Sequence, residues 1–103
     1  MTIEFTAAAQ FSITSEHPAL AGHFPGMPVA PGAVLLDRVC EAATLKLNCP
    51  PIALRLDNVK FMHTVRPGMQ LTIAFAQSAT GLQFKCLDDE NRVYVSGSIN
   101  NDD

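Results

Sequence analysis

The stretch Gly22-His23-Phe24-Pro25-Gly26-Met27-Pro28-Val29-Ala30-Pro31-Gly32 places three prolines and three glycines within eleven residues and divides the chain into two parts of different periodicity. Proline fixes φ and glycine frees it, so their alternation prescribes one stiff loop path. Such a loop loses little entropy when held still, which is what a site needs if one side chain must occupy a fixed point. His23 is the only titratable side chain on it. The next helix should begin near Pro31-Gly32, because the N–H that proline lacks has no intrahelical partner in a first turn. Asp37 then falls about a turn and a half into that helix. A rigid imidazole, a helix N-terminus with free N–H groups and a carboxyl are the parts needed to remove a proton beside a carbonyl.

Before the loop, Ile3, Phe5, Ala7, Ala9, Phe11 and Ile13 alternate with Glu4, Thr6, Ala8, Gln10, Ser12 and Thr14. A strict period of two predicts one strand with one buried face, ended by Ser15-Glu16-His17-Pro18. After the loop the period becomes helical from Ala33 to about Leu47. Leu35, Leu36, Val39, Ala42 and Ala43 form a wide apolar face, and Asp37, Glu41, Thr44 and Asn48 share the opposite stripe. An arc this wide predicts a largely enclosed helix cradled by a sheet, stopped by Asn48-Cys49-Pro50-Pro51.

The remainder reads as strands. Ile52, Leu54 and Leu56 share one parity and Val59 and Phe61 the other, so a β-bulge or sharp bend is expected at Asp57-Asn58. Turns fall at Arg66-Pro67-Gly68, Thr80-Gly81 and Asp88-Asp89-Glu90-Asn91, separating the alternating runs Leu71-Phe75, Leu82-Cys86 and Val93-Ile99. Links this short require antiparallel pairing. The expectation is a single α+β domain over residues 1–103.

An apolar fraction of 48% with 17% charged residues suits a globular domain, and in so short a chain it favours burial of some surface between subunits. The net charge of −3 argues against a nucleic-acid partner. Cys40, Cys49 and Cys86 lack metal-type spacing and read as reduced core thiols of a cytosolic protein. Met27, Met62 and Met69 read as packing residues, and His17 and His63 as structural or exposed. No apolar run is long enough to span a bilayer, and the first twelve residues, with Glu4 and no Lys or Arg, do not read as a secretory leader.

His23-Phe24, Gly26, Pro28-Val29 and Pro31-Gly32, followed by an apolar run and Asp37, resemble the 3-hydroxyacyl-ACP dehydratases of the FabA/FabZ group. Lys60-Phe61 and Val65-Arg66-Pro67-Gly68 are a weaker echo of the same family. The resemblance implies the hot-dog fold, a curved antiparallel β-sheet wrapped around one long central helix. It also implies active sites at a dimer interface, with the histidine from one subunit and the acid from the other. By position, His23 matches the catalytic histidine and Asp37 the acid. Gly32 matches the glycine whose N–H holds the thioester carbonyl, and Val29 the residue whose carbonyl orients the imidazole. Glu41 stands where the family has a glutamine, so two carboxylates lie one turn apart and charging both is disfavoured. Arg38 replaces a small residue, and the chain lacks the family's N-terminal helical extension.

The activity implied is dehydration of 3-hydroxyacyl-ACP to trans-2-enoyl-ACP, in fatty acid, aryl-polyene or polyketide-like biosynthesis. It calls for no metal or organic cofactor. The substrate would ride on the phosphopantetheine of acyl carrier protein, an acidic partner for which Lys60, Arg66 and Arg92 are the basic candidates. A cytoplasmic homodimer or a higher oligomer of dimers is implied. The alternatives are a thioesterase on the same fold, and a non-catalytic acyl-binding or partner subunit of a hot-dog dimer.

Overall fold

The computed structural model describes residues 4–12, 32–50, 53–79 and 81–101. Its elements are β1 (Thr6–Ser12), α1 (Gly32–Leu47), β2 (Leu54–Phe61), β3 (Gln70–Gln77), β4 (Gly81–Leu87) and β5 (Val93–Asn101). They form one sheet in the order β1-β3-β4-β5-β2, with every neighbouring pair antiparallel. The three strands joined by short turns are neighbours, as such links demand. The two strands that flank the helix in sequence take the outer edges.

Alternation gives the sheet two faces. Leu71, Ile73 and Phe75 of β3, Leu82, Phe84 and Cys86 of β4, and Val95 and Ile99 of β5 are buried, and Leu35, Val39 and Ala43 of α1 join the same core. Each large side chain buried this way contributes about 1.5–3 kcal/mol. The helix is less enclosed than its apolar arc predicts: Leu36 and Ala42 are only half-buried, and Asp37, Arg38, Glu41, Leu45 and Lys46 are exposed. A single sheet covers one side of a helix and leaves the other open. Among the described residues no helix is long and apolar enough to cross a membrane.

The C-terminal end of α1 follows from local chemistry. Asn48 takes a left-handed φ of 53°, and the Cys49 N–H returns to the Thr44 carbonyl at 3.3 Å, closing the C-terminus with Lys46 in the last turn. Arg66-Pro67-Gly68-Met69 is a turn with proline second and Gly68 third at φ 87°, closed by Met69 N–H to Arg66 O at 3.2 Å.

The register slip expected in β2 is present between Asp57 and Lys60, with Asn58 at φ 56°. A second slip, which strict alternation in β1 does not predict, lies between Ala7 and Ala9. Ala9 and Phe11 pack toward the core, but Phe5 lands on the outer face, its ring 4.3 Å from the Lys85 ammonium. Opposite the β2 slip, Gly97 leaves room for Phe84: a Cβ there would lie 2.8 Å from the ring.

Of the cysteines expected in the core, only Cys86 is there, and burial pushes its thiol up to about 12. Cys40 and Cys49 are half-buried, one on the helix flank and one just past the helix end. Met69 packs against the core, whereas Met62, expected to do the same, is 45% exposed because it lies beyond the end of β2.

Candidate active site

The β2 slip matters for what lies past it. With one extra residue taken up, Lys60 pairs with Ser96 and Phe61 with Val95, so Phe61 turns to the helix side of the sheet. Its ring lies against the first residue of α1: a Cβ on Gly32 would be 2.7 Å from Phe61 Cζ. Only glycine permits this approach. Gly32 N–H is one of the helix's first donors, without an intrahelical acceptor and at the positive end of the dipole.

A cleft of about 430 Å³ opens at this point. Gly32 and Leu35 of α1 form one side, and Phe61, Met62, His63 and Val65 the other. Leu35, Phe61, Met62 and Val65 supply its apolar surface, and the polar groups lie at the helix start and at His63-Thr64. A cleft of this kind suits an acyl chain ending in a carbonyl. Met62 also borders a second hollow, of about 460 Å³, on the outer face of the sheet.

Asp37 is exposed on the helix face turned away from the sheet and is not among the described residues lining the Gly32 cleft. Glu41, one turn on, reaches Arg38 at 3.8 Å in a surface pair of little energetic weight. Both border a small hollow of about 150 Å³ between α1 and β1. Asp37 also acts on Cys40, whose thiol is raised first by burial and then by that carboxylate's charge. His23 and Val29 lie outside the described residues.

The three expected basic residues occupy different settings. Lys60 lies in the outer hollow, on a cross-strand row with Ser96 and Lys85. Arg66 begins the Pro67-Gly68 turn and is exposed. Arg92 is the one brought to the cleft, through a 3.1 Å contact to His63 Nδ1.

His63 is what sequence reading passed over. Its neighbours in sequence carry no sign of chemistry; its partner is 29 residues on. The available signal is the acidic turn with arginine and tyrosine just after it. Asp88 Oδ1 accepts the Glu90 and Arg92 N–H groups at 2.9 Å each, and Asp88 Oδ2 accepts Tyr94 OH at 3.1 Å. These bonds, the Arg92 N–H first, hold the Asp88 carboxyl below its usual range. Burial, followed by the bond to Asp88, raises the Tyr94 phenol.

A family model described as ApeI-like, ApeI dehydratase, matches residues 2–98. The 3-hydroxyacyl-[acyl-carrier-protein] dehydratase FabZ of Chlamydia trachomatis serovar L2 is 34% identical over 76% of this chain and 65% of its own length. The FabZ of Aliarcobacter butzleri is 28% identical over 85% of this chain and 67% of its own. The chain thus spans about two thirds of the length of these relatives. Among solved structures, a chain of the dehydratase heterocomplex ApeI:P from Xenorhabdus doucetiae superposes with a TM-score of 0.71 at 20% identity, covering 97% of both chains. An uncharacterized protein from Erwinia carotovora subsp. atroseptica gives 0.69 at 24% identity, covering 97% of this chain and 89% of its own. The architecture is the hot-dog fold.

Proposed function

The chain belongs to the ApeI-like dehydratase family, and on that premise we propose that it dehydrates 3-hydroxyacyl thioesters on acyl carrier protein to trans-2-enoyl thioesters. The observation that carries this reading is the cleft at Gly32, where the first N–H of α1, which has no intrahelical acceptor, adjoins the apolar side chains of Leu35, Phe61 and Val65. His23, as general base, takes the proton from C2. Electrons move onto the thioester oxygen, which Gly32 N–H meets; one such donor lowers a barrier by roughly 3 kcal/mol. Expulsion of the C3 hydroxyl follows as Asp37 gives it a proton, and water leaves. The imidazolium then returns the Asp37 proton. No metal or organic cofactor is required by these steps.

Asp37 on the outward helix face supports donation of this acid across an interface, into the site of a neighbouring subunit. A cytoplasmic homodimer is the simplest assembly. The heterocomplex of the ApeI relative favours a second reading, in which this chain completes the site of a different hot-dog subunit.

The experiment is a panel of 3-hydroxyacyl-ACPs followed for the conjugated enoyl product. His23→Ala and Asp37→Asn should each lower turnover by orders of magnitude while leaving the fold intact. Full activity in either variant rejects the mechanism, and free thiol release without enoyl product transfers the chain to the thioesterases. Activity that emerges only with a second hot-dog subunit selects the mixed assembly.

A further inference from the structure

His63 is the described histidine at this cleft, and Arg92 fixes where its proton sits. Arg92 Nη2 lies 3.1 Å from His63 Nδ1. A guanidinium only donates, so Nδ1 must accept and the ring carries its proton on Nε2.

The arrangement is braced from behind. Tyr94 meets the imidazole edge-on, with centroids 5.6 Å apart at 69°, and the Arg92 guanidinium lies 6.0 Å from the Tyr94 ring. Arg92 and Tyr94 are both tied to Asp88, one through its backbone N–H and one through its hydroxyl. The hairpin turn after β4 therefore positions a ring at the end of β2. That ring lines the cleft beside Thr64, across from Gly32 and Leu35, and offers it a side-chain N–H donor.

Resting on the dehydratase reading, we propose that His63 is a substrate-binding residue, its Nε2–H donating to an amide carbonyl of the pantetheine arm while Arg92 and Tyr94 position the ring. The thioester carbonyl has its own donor in Gly32, which leaves the arm's amides as the carbonyls still to be met. A bond to an amide remote from the reacting carbons is the same in ground and transition states. It therefore acts on KM and not on kcat.

The test has a kinetic arm and a spectroscopic arm. His63→Phe should raise KM for a 3-hydroxyacyl-pantetheine thioester about five- to tenfold, the size of one lost hydrogen bond, with kcat within about twofold. His63→Gln keeps an N–H donor and should recover most of the loss. A 3-hydroxyacyl thioester of ethanethiol, which has no amide, should not distinguish His63→Phe from the unaltered protein.

In the unaltered protein near pH 8, nitrogen NMR should show Nδ1 bare and Nε2 protonated. Adding an unreactive acyl-pantetheine amide should shift the Nε2 signal. A proton on Nδ1, an unmoved Nε2 signal, or an unchanged KM in His63→Phe overturns the proposal. Unaltered protein that makes enoyl product while its Nε2 signal stays put sinks this inference alone. Protein that makes no enoyl product, alone or with a second hot-dog subunit, sinks the dehydratase reading, and the spectroscopic arm still tests His63.

Discussion

The two edge strands each absorb one extra residue, with opposite consequences. In β1 the slip between Ala7 and Ala9 puts Phe5 on the outer face, where it covers Lys85. In β2 the slip between Asp57 and Lys60 puts Phe61 on the helix side, against Gly32. The same local irregularity thus decorates one edge and builds a cleft at the other. A bulge chooses a face for every side chain beyond it, and its importance depends on what waits on that face.

The largest break in this comparison should come from Gly32→Ala. Its Cβ would meet Phe61 Cζ at 2.7 Å, so the ring must leave the helix start. Turnover should fall about 10²-fold, as for a misplacement of about 1 Å at a reacting centre. Phe61 is 52% exposed and can swing away, so thermal stability should fall by no more than about 1 kcal/mol. An unchanged rate would show that Phe61 does not shape the site.

Next in size are paired substitutions at the two slips. Asn58→Val forces a β-branched residue to a left-handed φ of 56° and should lose about 1–2 kcal/mol in a denaturant melt. Ala8→Val carries no such backbone demand and should stay within about 0.5 kcal/mol. Equal losses would erase the distinction between the edges.

Acidification should loosen the β4–β5 turn that braces His63 beyond β2 and leave the β1 edge unchanged. The Asp88 carboxyl is held below its ordinary 3.8, so its bonds to Arg92, Glu90 and Tyr94 stabilise the fold above that value. Their contribution is lost as pH falls through the lowered one. Amide exchange at Arg92 should accelerate below about pH 4 while the β1–β3 amides stay protected. Phe5→Leu is the mildest change, removing a cation–π contact of about 0.5–1 kcal/mol at the β1 edge without altering turnover.

The β2 slip was legible because bulky residues stand on both sides of it: Leu54 and Leu56 announce one parity and Phe61 the other. Around Ala8 there are alanines, whose small side chains hold no register, and the count of two runs through them undisturbed. The Arg66-Pro67-Gly68 turn and the helix stop at Asn48 were equally readable, since each is decided by residues in immediate succession. Strand order was not, because a period of two marks a buried face without naming the neighbour. The motif marks Gly32 and Asp37 as candidates, the helical period puts Asp37 opposite the apolar face, and the resemblance implies that this acid serves the other subunit's site. His63 stayed hidden because its significance arises from Arg92, in another strand's approach.

The two ends of α1 are finished unequally. Past Leu47 the Cys49 N–H donates to the Thr44 carbonyl, and Lys46 lies in the last turn at the negative pole. At Gly32 nothing in the helix itself answers the leading amides. Among the described residues α1 is the one α-helix, so its positive pole falls at the Gly32 cleft, and an enolate forming there would meet it.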